Sequence, residues 1–221
     1  MYSESPEIES INTWTSPLFV TTNPDHEFLK EDLLKHIYSY QKLHNQTKAV
    51  ASEVAVNAKH QLFESKLCFL ESNEPVIIEL RRMLEELLSA IATQVNMPYW
   101  PEGAEGDATI IESWFHVTKD GGYHDIHSHP NCSWCGIYYL DVGECELGTR
   151  NGINRFYDPR NNADHYGDAG TAYLSQQGFW DFQPVEGQIV IFPSYLKHSA
   201  LPYFGQKDRV VIAFNSIVDL I

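Results

Sequence analysis

The feature that most constrains this chain is a change of rhythm near residue 107. From there onward six short apolar runs, ATIIESWFHV, SWCGIYYLDV, INRFYD, GFWDFQ, GQIVIFP and RVVIAFNSIV, are separated by Gly, Pro, Asn and Asp with no helical pattern between them. Runs of this length, rich in β-branched and aromatic residues and bounded by turn formers, read as strands. Strands that follow one another without crossover helices pair antiparallel, which points to a sandwich or jelly roll.

The first half reads differently. SPLFV (16–20) is a short strand, and Asn23 or Asp25 can cap a helix whose apolar stripe is Phe28, Leu29, Leu33, Leu34 and Ile37. Pro75 opens a second helix, with Val76, Ile77, Leu80, Met83, Leu84, Leu87, Leu88, Ile91 and Val95 at helical spacing, suited to lying flat on a sheet. The expectation is one mainly β domain: 1–106 supply a strand and supporting helices, and 107–221 form a cupin-like jelly-roll core. The polar segment 158–178 is long for a loop and is a candidate lid over the site.

A composition of 43% apolar residues suits a packed core, while a formal charge of −15 repels phosphate backbones and anionic lipid, so no nucleic-acid or membrane partner is expected. The opening residues lack the pattern of a secretory signal, and no apolar run reaches membrane-spanning length, so a cytoplasmic location is expected. Four cysteines in such a chain read as reduced thiols. Cys132 and Cys135 are spaced C-x-x-C, but no second pair completes a zinc set.

The chemistry concentrates in GGYHDIHSHPN. On a regular strand residues two apart share a face, so Asp125, His127 and His129 can converge on one point. A mononuclear site that keeps positions open for oxygen and substrate needs three protein ligands on one side. His198, in FPSYLKHSALPYF after the strand GQIVIFP, is the distant partner. Arg209 opens the last apolar strand, and an arginine entering a buried strand needs an anionic partner such as a dicarboxylate. His116 and His124 read as surface histidines or as groups behind the ligands.

The series H-x-H-P-x-x-x-x-x-G-x-Y-Y-L from His127, F-x-D-P-R from Phe156, G-x-x-x-x-F-P-S-x-L-x-H-S-x-x-P-Y from Gly187, and R-x-x-x-x-F-N from Arg209 resembles the family of Fe(II)- and 2-oxoglutarate-dependent oxygenases. That resemblance implies a double-stranded β-helix, Fe(II) and 2-oxoglutarate as cofactors, and oxidation of a C–H bond in a small molecule or peptide by molecular oxygen. It further implies iron ligation by His127 and His198 and a grip of Arg209 on the distal carboxylate of 2-oxoglutarate. Tyr138 or Tyr139, whichever points inward, and Asn215 are expected at the same cavity.

Two positions depart from the wider pattern. His129 stands where a carboxylate is usual, which leaves His129 and Asp125 as alternatives for the third ligand. Val211 stands where many relatives carry a Ser or Thr that bonds the cosubstrate. Trp134, Arg160 and His165 are candidate substrate contacts, although Trp134 also reads as core and Arg160 as a partner of Asp158; Phe156, Tyr157, Trp180 and Phe182 read as core. The rival readings are a three-histidine dioxygenase without cosubstrate and a jelly-roll module that binds metal or ligand without turnover. A homodimer is left open.

Overall fold

The computed structural model describes residues 15–48, 61–160, 169–171 and 177–221. Two antiparallel sheets face each other. The larger takes, in spatial order, β1 (Phe19–Thr22), β8 (Gln188–Pro193), β5 (Trp134–Asp141), β10 (Arg209–Leu220), β3 (Gly106–Thr118) and β2 (Leu62–Glu64). The smaller takes β4 (Gly122–His127), β9 (His198–Tyr203), β6 (Asn154–Tyr157) and β7 (Phe179–Phe182). From β3 to β10 the chain crosses between the sheets at every step except β6 to β7, the wrapping of a jelly roll, and the helices α1 (His26–Lys48) and α2 (Pro75–Asn96) cover the outer face of the larger sheet.

Strand alternation divides the large sheet's side chains between two cores. Phe115, Val117, Tyr138, Leu140, Ile189, Ile191, Val210 and Ile212 meet the helices, whereas Cys135, Ile137, Tyr139, Val190, Phe192 and Val211 point into the space between the sheets. From α2 the residues Ile77, Leu80, Leu84, Leu88 and Ile91 are buried on one stripe, as their spacing predicts. Each such side chain contributes about 1.5 to 3 kcal/mol by leaving water. On α1 Leu33 and Ile37 are fully buried, whereas Phe28, expected on the same stripe, is 82% exposed.

Helix α2 also closes an open ladder. At its outer end β3 has β10 on one side only, and the amides of Gly106, Ala108 and Ile110 donate instead to Thr93 Oγ1, Ser89 Oγ and Glu85 Oε1 at 2.9, 2.9 and 3.0 Å. These three acceptors lie four residues apart on α2, so one helix face satisfies alternate amides of one strand. No helix among the described residues is long and apolar enough to cross a membrane.

Candidate metal centre

The histidine-bearing strand is not regular, and this decides the site. β4 pairs with β9 at His124↔Ala200 and His127↔His198, so three residues of β4 (124 to 127) span two of β9 (200 to 198). The extra residue is a β-bulge, which shifts the side-chain alternation by one. His124 and His127 therefore both face the cavity, with ring centroids 4.2 Å apart, and Asp125 is exposed. The regular-strand expectation that Asp125, His127 and His129 share a face fails for this reason. Asp125 instead contributes its main chain: His127 Nδ1 donates to the Asp125 carbonyl at 2.7 Å.

His127, His129 and His198 come together, one ligand atom of each lying within 4.8 Å of the other two. Ring centroids are 4.9 Å apart for His127 and His129, 4.3 Å for His127 and His198, and 5.3 Å for His129 and His198. His198 Nδ1 donates to the Leu196 carbonyl at 3.1 Å. These main-chain bonds fix the tautomer of His127 and His198, leaving each Nε2 as a free lone pair. His129 is set differently: its Nδ1 lies 3.4 Å from Nδ2 of Asn215, which donates to Glu112 Oε2 at 2.8 Å.

Electrostatics keeps the set ready for a cation. Burial, followed by the neighbouring imidazoles His124, His129 and His116, lowers His127 to about 3. Burial and nearby histidines also push His198 well below the ordinary value and lower His129. Neutral imidazoles are the form that binds metal, so protons do not compete near neutrality.

Arg209 faces the same cleft between the sheets. Its side chain is buried, its Nη2 donates to Asn154 Oδ1 at 2.7 Å, and its Nε has no partner. The Tyr139 hydroxyl donates to the same Asn154 oxygen at 3.0 Å, and the guanidinium lies 5.8 Å from the Tyr139 ring centroid. Tyr139 is thus the inward tyrosine. Tyr138 points to the helices, where its hydroxyl bonds His26 Nδ1 at 2.6 Å, so it does not reach the cavity.

Trp134 also lies on the outer face, against Phe19, and is removed from the substrate candidates. Arg160 is engaged by Asp158 at 2.9 Å on the exposed side of its turn. His165 and most of the expected lid lie outside the described residues. Of the aromatic set, Phe156 and Phe182 are core, whereas Trp180 is 50% exposed on the short strand β7. Val211 packs in the inner apolar core.

One grouping beside the triad was not read from the sequence, which marks His116 and His124 only as surface histidines or groups behind the ligands and Glu64 not at all. Glu64, His116 and His124 stand beside the triad, with His116 Nε2 and Glu64 Oε2 2.8 Å apart. Glu64 sits on a three-residue strand with no pattern of its own, and His124 faces inward only because of the bulge.

Comparison with known proteins agrees with this geometry. Residues 112–215, which carry every histidine of the triad as well as Arg209 and Asn215, match the family described as putative 2OG-Fe(II) oxygenase. Among curated protein sequences none matches. A prolyl-4-hydroxylase of Pseudomonas putida is similar in structure, with 14% identity, 91% of this chain and 93% of that chain covered, and a TM-score of 0.52. HygX of Streptomyces hygroscopicus, in its structure with nickel, 2-oxoglutarate and hygromycin B bound, shares 12% identity over 91% of this chain and 83% of its own, with a TM-score of 0.57. A Trichoplax adhaerens prolyl hydroxylase in complex with a hypoxia inducible factor peptide fragment shares 14% identity over 90% and 83%, with a TM-score of 0.53. The architecture they share with this chain is the double-stranded β-helix. The family match is thus confined to residues 112–215, the stretch that carries the triad, and the fold is the one these similar structures share.

Proposed function

We propose that this protein hydroxylates a C–H bond of a small molecule or peptide, with His127, His129 and His198 holding Fe(II) and Arg209 holding 2-oxoglutarate. The observation that carries the reading is a buried arginine with an unpartnered Nε, facing the same cleft as three neutral histidines, two of them oriented by main-chain carbonyls and the third set beside Asn215. A buried cation with an unsatisfied donor calls for a carboxylate, and a cluster of imidazole lone pairs calls for a transition metal.

When bound, Fe(II) with 2-oxoglutarate and O2 supplies the oxidising power that places one oxygen atom in the C–H bond as the cosubstrate becomes succinate and CO2. The chain's part is positioning and electrostatics. The triad presents its nitrogens from one side, which leaves the opposite side open to the cleft. Arg209 neutralises the distal carboxylate, while Asn154, held by Tyr139, keeps the guanidinium in place. Phe192, Val211 and Ala213 give the cleft an apolar wall that excludes water. Three neutral ligands leave the full dipositive charge on the ion, one unit more than a site with a carboxylate ligand.

The similar structures support this reading: HygX has been seen with 2-oxoglutarate and with nickel, and two others are prolyl hydroxylases. A direct test is anaerobic addition of 2-oxoglutarate to the Fe(II)-loaded protein. Chelation of the metal by the keto acid gives a visible charge-transfer band in the wild type, absent in His198→Ala. Without a band, the protein is a three-histidine dioxygenase that uses no cosubstrate, or a binding module.

A further inference from the structure

We infer that Glu64, His116 and His124 form a second cation site, taking one divalent transition-metal ion in the same cleft as the triad. The three residues come from β2, β3 and β4. Glu64 and His116 are paired across the ladder of β2 and β3, and the rings of His116 and His124 stack with centroids 5.4 Å apart. One ligand atom from each lies within 4.8 Å of the other two.

The internal distances suit a cation. His116 Nε2 and His124 Nε2 both aim at the same carboxylate oxygen, Glu64 Oε2, at 2.8 and 3.7 Å. Donor atoms around a first-row ion with bonds of about 2.0 to 2.2 Å stand roughly 3 to 3.5 Å apart, so small side-chain rotations complete the shell. Two imidazoles and one carboxylate on one side are a recognised donor set for such ions, with positions left over for water or ligand.

His124 Nδ1 lies 3.3 Å from the Asp125 carbonyl, an acceptor, and donation to it would leave Nε2, the nitrogen nearer Glu64, as the lone pair that a cation takes. The side chains are 22%, 12% and 14% exposed for Glu64, His116 and His124, which shelters the ion yet leaves it a way in.

Another cluster, His26, Glu27 and Glu186, lacks this character, because the Lys30 ammonium already lies 2.6 Å from Glu186 Oε1. The Glu64 cluster adjoins the triad through the His124 and His127 rings, 4.2 Å apart, so two ions would share one cavity as a dinuclear centre. Its occupancy does not depend on 2-oxoglutarate or on turnover.

The test is calorimetric titration of the chelator-stripped full chain with Zn(II), with bound metal counted by mass spectrometry. The wild type takes up two equivalents. Glu64→Gln and His124→Asn, each shown to be folded by circular dichroism, retain one, and so does the double variant His127→Ala/His198→Ala. Uptake of one equivalent by the wild type, or of two by both Glu64→Gln and His124→Asn, overturns the second site. Either result leaves the triad open to its own test, since its loss is read in the His127/His198 variant.

Discussion

Replacing Arg209 by Gln separates the stability of this protein from its use of a cosubstrate. The side chain is 2% exposed, donates to one neutral acceptor, and keeps an Nε without a partner. With no carboxylate bonded to it, the guanidinium is a buried charge whose lost hydration is incompletely replaced, so removing it is close to neutral or stabilising. Binding reverses the sign. Truncating one member of a buried, hydrogen-bonded charge pair costs about 2 to 5 kcal/mol. At 1.4 kcal/mol per decade, this is roughly a 30- to 3,000-fold rise in the Kd for 2-oxoglutarate. The assay is calorimetric titration of the Mn(II)-loaded protein with 2-oxoglutarate, alongside urea unfolding of the metal-free protein. Arg209→Gln is expected to unfold at an equal or higher urea midpoint while binding the cosubstrate at least 30-fold more weakly. An unchanged Kd, or a large drop in midpoint with binding intact, would refute the assignment and make Arg209 a structural residue.

Other predictions concern the fold and the imidazoles. His127 sits at about 3 in the folded state against an ordinary value of 6.5, so its contribution to stability is present above 6.5 and is lost as pH falls from 6.5 toward 3. Through His127 the metal-free protein should lose about 1.4 kcal/mol per pH unit below 6.5, read as a falling urea midpoint between pH 6.5 and 5; a flat midpoint contradicts the burial argument. Tyr139→Phe should raise the KM for 2-oxoglutarate by freeing Asn154, whereas Tyr138→Phe should lower only the unfolding midpoint; equal effects on KM would reject the division of faces. Leu84→Ala, at a fully buried position of α2, should cost about 2 to 5 kcal/mol in urea unfolding, and a loss under 1 kcal/mol would mean that the helix is loosely docked.

How much of this was legible follows from which signals are local. The six apolar runs and the stripe on α2 were readable because burial and alternation leave period-two and period-3.6 patterns, whereas the pairing of HSH with a distant histidine rested on the motif series that carries the family resemblance. The strand β9 was harder, since HSALPY carries a proline and few apolar residues; it is held by pairing with β4 and β6. The choice between Asp125 and His129 could not be made from alternation, which placed both on the face of His127, because a bulge is set by the partner strand. Which of Tyr138 and Tyr139 points inward depends on the register of β5, which no single residue announces. Glu64 is joined to His116 only through a three-residue strand pairing, so no spacing in the sequence could have marked it.

The account rests on coupling between the triad, the cosubstrate and oxygen. The measurement that reaches it most directly is succinate release from 2-oxoglutarate by the Fe(II)-loaded protein in air, run against anaerobic and His198→Ala controls. Succinate that requires oxygen, Fe(II) and His198 is the expected result. No succinate above the His198→Ala background, with Fe(II) bound and a panel of peptide and small-molecule substrates present, would contradict it.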